Sequence, residues 1–464
     1  MTYYKRNLDI KLMEWKASQR RKPLLIRGAR QVGNSRNYII FMVKTYISLL
    51  LCACCQIVSA QARTGDPLYD LLRNEMTYYY QHLSQDSVPV QFMSFGALDE
   101  KTISIDSDMG CATMHEKNGR RFCPKILFGT LNDGKGLNRF DYKEAEWMDS
   151  QMLMIDLPYE NDTKVIKSVI WNALSRIYRG QMAIWQKTKK KSIQMPLVAK
   201  GSAAVHYEEP LAEASFDKEY WKQLLNKTTA VQARKTPEAH CLAHIEGLNQ
   251  RRYIIDSEGT AVVSNRQSFV LAIRASVKDF RGVEIALDKE YFAYKTSELP
   301  DQETLAHDME VLVQRTFALS KAPMAEAYSG PVILSGNSSA VFFHEVFGHR
   351  LERQDSEFAS MRGNQVLPTD FTVTCNPQQQ YLGGTPLAGY YRYDDEGSMG
   401  QKVECVKDGT MANMLTCLSQ QAVTNGHGRS LFGNDPAPRQ SNLIVETSHP
   451  YTETDLYRCY KYLK

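Results

Sequence analysis

The 464-residue sequence predicts an α+β chain with antiparallel sheets and interspersed helices in two domains, and three observations lead there. Short alternating apolar runs, such as VPVQFMSF and TISIDS, are separated by Gly, Asp and Asn and read as hairpin strands. Between such runs lie long stretches with apolar residues at three- and four-residue steps, the period of amphipathic helices. The composition, 43% hydrophobic and 23% charged, supplies two or three cores at this length without disulfide staples. It excludes collagenous, knottin-like and wholly disordered chains.

The charge is uneven. Residues 1–36 hold ten Lys/Arg and two Asp/Glu, a local net of +8, so the other residues of this +4 chain sum to −4. The excess is confined to a short leader and the body is mildly acidic, which argues against nucleic acid as a partner. Within the leader, Ile10 to Lys16 reads as a basic amphipathic helix, followed by a short strand at Pro23 to Ile26 and a Gly-bounded loop. Gly28 and Gly33 have phosphate-loop spacing, but Asn34 stands where the loop needs a Lys to meet the outer phosphates. The segment KPLLIRGARQVGNS resembles the start of a family of prokaryotic AAA-type ATPases, and the resemblance stops near Arg36. Residues 1–36 are therefore read as an ATPase-like fragment without nucleotide chemistry, and an ATPase-related protein is the second alternative for the whole chain.

Residues 37–62 form a signal-peptide-like segment. Lys44, an apolar run from Tyr46 to Cys55 and the small-residue pattern Ala60, Gln61, Ala62 follow the layout of a secretory leader with cleavage after Ala62, counted from Met42. A membrane anchor competes, since Ile39 to Val43 lengthen the run, but Lys44 interrupts it. Leu51, Cys52, Ala53 and Cys54 approximate a lipoprotein box, which makes lipid attachment at Cys54 a lesser reading. The expectation is a periplasmic or secreted protein with no stable membrane span after cleavage, and a cytoplasmic one if the leader is not recognised. Cys111 and Cys123 could then close a hairpin in an oxidising compartment.

The body divides at a Gly- and Ser-rich change of composition near Gly330, into an N-terminal α+β domain over 63–325 and a C-terminal domain over 326–464. Helices are predicted at Pro67 to Leu83, across Val165 to Tyr178, and at Thr304 to Lys321. YIIDSEGTAVVSNRQSFVLAIRASV reads as a strand, a turn at Ser257 to Gly259 and two further strands; Lys187, Lys189, Lys190 and Lys191 read as a solvated turn.

The chemistry is in GPVILSGNSSAVFFHEVFGHRLE. Pro331 to Leu334 is predicted as a strand, Asn337 or Ser338 as an N-cap, and Ala340 to Leu351 as a helix with Val341, Phe342, Val346 and Phe347 available for burial. His344, Glu345 and His349 lie on it, the parts of a hydrolytic zinc site: two imidazole ligands, and a carboxylate to take a proton from water. Five residues at about 100° each leave the two His roughly 140° apart, whereas four would leave about 40°. Both reach one ion only if the turn widens to a π-bulge or the helix bends, and Gly348 is where such a distortion costs least.

SGNSSAVFFHEVFGHRLE closely resembles the zinc-peptidase motif of the TldD/PmbA family. YDDEGSMGQ at 393–401, VKDGTMANMLTCLSQQA at 406–422, NGHGRS at 425–430 and the PRQSNLIVE run ending at Glu446 are similar to that family's later blocks, in the same order. The resemblance runs from about Asp66 to Lys464, strongest after Gly330. It implies that His344 and His349 ligate Zn2+ and that Glu345 is the general base for hydrolysing small or unfolded peptides. It also implies a homodimer, or a heterodimer with a related metal-free subunit. Asp394, Asp395, Glu396 and Gly397 match a recurrent acidic block, read equally as a turn that orders the C-terminal domain.

The family's third ligand is a Cys in a Cys-Gly-like block near the C-terminus. Here the chain ends at Lys464 soon after NLIVE, and Cys459 has no matching context, so the C-terminal domain is expected to be incomplete. The first alternative is accordingly a non-catalytic partner or inactive copy. His240, Cys241 and His244 are a weaker second metal candidate, read rather as part of an ordinary helix or loop.

Overall fold

A computed structural model describes residues 65–86, 90–128, 154–188, 204–212, 215–418, 424–430, 436–452 and 454–458. The ATPase-like fragment 1–36, the signal-like segment 37–62, Lys189 to Lys191 and Cys459 lie outside the described residues. None of the described helices is long and apolar enough to cross a membrane.

The α+β architecture rests on two sheets. The larger has seven strands: β1 (Val90–Asp108), β2 (Cys111–Phe128), β3 (Ile155–Asp156), β4 (His206–Glu208), β5 (His240–Asp256), β6 (Ala261–Lys278) and β7 (Glu284–Ala293). Their order is β3-β2-β1-β5-β6-β4, and β7 shares the β6 edge with β4. All pairs are antiparallel except β4 with β6. The long β1–β2 hairpin turns at Met109 and Gly110, with φ of 48° and 94°, the paired positive values that suit a two-residue loop to strand twist.

Strand alternation divides this sheet cleanly. Phe95, Ala97 and Ile105 of β1, Cys241, Ala243, Ile245, Tyr253 and Ile255 of β5, and Phe269, Leu271 and Ile273 of β6 are buried on one face. At one end that face carries helices α1 (Pro67–Leu83) and α2 (Thr163–Thr188), packed through Leu72, Met76, Ile166, Ile170 and Leu174. At the other it carries α3 (Lys218–Lys235) and α4 (Gln302–Ser320), packed through Trp221, Leu225, Leu305 and Met309. The opposite face bears Arg121, Leu98, Arg252 and Ser264 in one cross-strand row, and Glu100, Gln250 and Arg266 in the next.

One buried carboxylate ties α1 to the sheet. Asp66 Oδ1 caps the helix by accepting from Leu68 N (3.0 Å) and Tyr69 N (3.1 Å), while Oδ2 accepts from Arg251 Nε (2.7 Å) and the Tyr253 hydroxyl (3.0 Å). The same side chain satisfies the helix's orphan donors and neutralises a buried guanidinium.

The smaller sheet has the order β12-β11-β8-β15, from β8 (Phe371–Cys375), β11 (Val403–Lys407), β12 (Thr410–Met411) and β15 (Leu443–Thr447). Two-residue ladders β9 (Tyr381–Leu382) with β10 (Thr385–Pro386), and β13 (Gly428–Arg429) with β14 (Ala437–Pro438), flank it.

Three expectations are corrected. The two strands predicted after Ser257–Gly259 are one strand, β6, because its polar middle, Ser264 to Ser268, stays in unbroken register with β5 from Arg252 to Leu248. Cys111 and Cys123 cannot bridge: both lie on β2, opposite Asp108 and Gly96, and strand geometry separates them by about 40 Å. Pro331 to Leu334 is not a strand, having no ladder partner among the described residues.

Replacing Asp66 by Ala should lower the free energy of unfolding by about 3 kcal/mol, since it removes a cap and uncovers a buried cation. Asp66→Asn, which keeps the capping oxygen, should recover only the cap's share, about 1 kcal/mol. Urea unfolding of the three proteins measures both steps, and an unchanged midpoint for Asp66→Ala would contradict this account.

Candidate metal centre

Helix α5 (Asn337–Phe343) starts from Gly336 rather than from an Asn337 or Ser338 cap. Gly336 has φ 54° and ψ −132°, a backbone state that favours glycine, so the chain enters the helix one residue earlier than a side-chain cap would place it. The next five residues, His344–Gly348, form a π-helical turn in which His349 N–H reaches His344 O, and His349–Leu351 resumes the α-helix. This is the widening that a five-residue separation requires.

The consequence for the two histidines is direct. Their rings lie 4.6 Å apart, centroid to centroid, in an edge-to-face arrangement. One ligand atom from each of His344, Glu345 and His349 falls within 4.8 Å of the others, and all three residues are exposed. A tetrahedral zinc ion with bonds near 2.1 Å holds its ligand atoms roughly 3.4 Å apart. Exposed imidazoles need move only about an ångström to reach that spacing, so His344 and His349 can share one divalent metal with the Glu345 carboxylate beside it. Among the described residues this is the only such His/Cys/Asp/Glu group.

Of the residues expected to be buried on this segment, Phe347 is, Phe342 and Val346 are half-buried, and Val341 is exposed. Phe347 and Leu351 are buried and Phe343 packs beside them, at four-residue steps, against Val373, Cys375, Val403, Cys405, Met411 and Leu415. Val341 is 58% exposed. The apolar stripe thus turns toward the small sheet and leaves His344, Glu345 and His349 facing solvent.

Glu352, one turn beyond His349, was not singled out in the sequence, although its three-residue offset from the second His was a readable signal. It is buried, with Oε2 3.0 Å from His349 Nδ1 and 2.8 Å from Arg439 Nη1, and Oε1 accepting from Gln440 N at 3.0 Å. Burial pushes the Glu352 carboxyl up, but the donors from Gln440, His349 and Arg439 outweigh it and hold it below the usual carboxylate range. An ionised carboxylate only accepts, so His349 carries its proton on Nδ1 and keeps the Nε2 lone pair free for a metal.

Gly348 contributes room rather than conformational freedom. Its φ and ψ, −56° and −52°, are ordinary for a helix, but a Cβ there would overlap the side-chain amide of Gln440. Gln440 is the residue whose backbone holds Glu352, so the close approach couples the helix to the chain after β14.

The acidic block is a docking turn. Asp394 Oδ1 accepts from Glu396 N and Ser398 N, and Gly397, at φ 79°, would place a Cβ 2.8 Å from Thr260 Cγ2 of the large sheet's β5–β6 turn. Asp395 pairs with Arg252 of β5. Burial beside Glu396 pushes the Asp394 carboxyl up to about 7 against the backbone donors that favour its ionised form.

The second metal candidate is taken apart by strand alternation. His240 and His244 lie on one face of β5, paired with Asp108 and Asp106 at 2.7 Å each, while Cys241 points into the core on the other. Neither the helix nor the loop expected there forms.

Two outcomes follow from this geometry. Glu352→Gln should weaken binding of added zinc by about 10- to 100-fold, measured by competition with a chelator, because an uncharged amide has one accepting oxygen where the carboxylate offers two to His349, Arg439 and Gln440. Gly348→Ala should displace the Gln440 amide and cost about 1 kcal/mol, the low end of overpacking, and adding Gln440→Ala should restore most of it, giving a favourable coupling in a double-mutant cycle.

A metalloprotease from Methanocaldococcus jannaschii is 30% identical over 141 residues, 28% of this chain, and the chain spans only 30% of that relative's length. Among solved structures, a Thermotoga maritima protein described as a candidate modulator of a DNA gyrase superposes with TM-score 0.52 and 14% identity, over 80% of this chain and 77% of that one. TldE from Thermococcus kodakarensis superposes with TM-score 0.51 and 11% identity, over 84% and 80%. At such identities the superpositions show a common fold. Residues 327–461, which include the π-helical turn, Glu352 and the docking turn, match the family model of the PmbA/TldA metallopeptidase C-terminal domain.

Proposed function

We propose that the protein is a zinc-dependent peptidase in which His344 and His349 hold the metal and Glu345 is the general base. The observation that carries this reading is the π-helical turn, which brings two imidazoles separated by five residues to within ligand distance of one another. Zinc, when bound, supplies Lewis acidity toward a peptide carbonyl and makes water easier to deprotonate. Glu345, exposed beside both imidazoles, takes the proton from the attacking water and delivers it to the departing amine nitrogen. Glu352 holds His349 in the tautomer that binding needs.

The substrates proposed are small or unfolded peptides, since the three groups lie on an exposed face that extended chains can approach. We further propose pairing with a second copy or a related subunit, and export when the leader is recognised. The named metalloprotease relative, with the family match over 327–461, supports the reaction class.

Zinc content and cleavage of an unfolded protein substrate test the assignment together. The wild-type protein should bind about one zinc ion per chain; less than about a tenth would overturn the reading, given that catalytic sites hold their metal tightly. Glu345→Gln should keep the zinc and lose at least a hundredfold in cleavage rate, the scale of general-base catalysis. Loss of zinc in that variant would make Glu345 a ligand instead of the base.

A further inference from the structure

The face of the large sheet opposite the helices carries a group of guanidiniums that the chemistry above does not use. Arg121 and Arg252 share one cross-strand row, Arg266 stands in the next, and Arg429 of β13 comes down on them from the C-terminal unit. Arg429 stacks over the Tyr391 ring, 4.3 Å from its centroid, and lies 3.6 Å from Asp395, which already pairs with Arg252. Arg121 has Glu100 at 3.4 Å. Arg266 has no acidic partner within 4.0 Å among the described residues.

Arg252 and Arg429 are partly enclosed by protein, and Arg266 stands at the solvent edge of the group. Arg252 and Arg429 keep 22% and 26% of their side-chain area in contact with solvent although protein surrounds them, and Arg266 is exposed beside Tyr294. Burial pushes the Arg252 guanidinium down to about 9, helped by Arg429, Arg266 and Arg121, and it pushes Arg266 and Arg429 down as well. Asp394 and Glu396 are near, but their oxygens accept from backbone N–H groups of Ser398, Gly428 and Leu418. Asp395 is thus shared between Arg252 and Arg429, and Arg266 is the member of the group with no acidic partner of its own among the described residues.

We propose that Arg252, Arg266 and Arg429 recognise a carboxylate of the peptide substrate, with Arg266 as the guanidinium free to pair with it. Planar forked donors match carboxylate oxygens, and a partly desolvated cluster with mutual repulsion gains from an arriving anion. The position is compatible with one substrate spanning both sites: β13, which carries Arg429, pairs with β14, and β14 runs directly into Arg439 and Gln440, the residues that hold Glu352. The carboxylate belongs to the chain terminus or to an acidic side chain. The inference rests on the peptidase reading for the identity of the ligand.

Fluorescence anisotropy on the full chain tests it with three dye-labelled Ala/Leu octapeptides: a free acid, its C-terminal amide, and the amide with one internal Glu. The free acid or the Glu-bearing amide should bind about tenfold tighter than the plain amide, as expected for one charge-assisted pair, and which of the two does so identifies the source of the carboxylate. Arg266→Gln should bring all three within twofold while leaving zinc content and thermal unfolding unchanged. Equal binding of the three by the wild-type protein, or a preference that survives Arg266→Gln, overturns the carboxylate site even if zinc-dependent cleavage is present. An Arg266-dependent preference in a protein that cleaves nothing sustains the site and overturns the peptidase reading alone.

Discussion

Two imidazoles five residues apart on a helix cannot face the same ion, and the C-terminal unit is organised around relieving that constraint. The π-helical turn from His344 to Gly348 absorbs the extra residue and returns both rings to one side. Such a turn is less favourable than a regular one, so it must be held by its surroundings. Phe347 and Leu351 anchor its inner face in the small sheet's core, and Glu352 clamps its far end to Arg439 and Gln440. Gly348 permits the approach that makes the clamp reach. A side chain there would have to displace the Gln440 amide, which packs against the helix at that point.

The large sheet supplies the platform for this unit. Its helix-covered face is a conventional apolar core, divided between two helix pairs at its two ends. Its other face meets the Asp394–Gly397 turn, where a positive φ and a close contact with Thr260 both require glycine, and where Asp395 answers Arg252. The acidic block is therefore a docking element, and its charges are spent on backbone donors and on the sheet's arginines. The same docking brings Arg429 beside Arg252, so the packing of the two units and the gathering of the arginines have one origin.

The sequence disclosed much of this by period and by type. The bounds of α1 follow from its leucine spacing and Pro67, and the Asp66 cap agrees with them. The need for a π-bulge follows from counting residues between His344 and His349. What failed were readings in which local composition stood in for partners. The polar run in β6 looked like a strand break, but a ladder tolerates polar residues when both neighbours continue to pair. The Cys111–Cys123 hairpin assumed a turn between them, whereas the turn lies before Cys111, at Met109–Gly110. His240, Cys241 and His244 looked adjacent in sequence, and strand alternation put the thiol and the imidazoles on opposite faces.

By itself the sequence determined the α+β class, the helices with strong apolar periodicity and the three residues of the candidate site, because these depend on spacing along one short element. Tertiary structure alone decided which oxygen orients His349, what packs against Gly348, and where Arg429 meets the arginines of the large sheet. Those are contacts between segments roughly ninety to one hundred and eighty residues apart, and no local period encodes them. The charge pattern shows the same division: the leader's excess is visible by counting, but the cation cluster arises only when β2, β5, β6 and β13 are brought to one face.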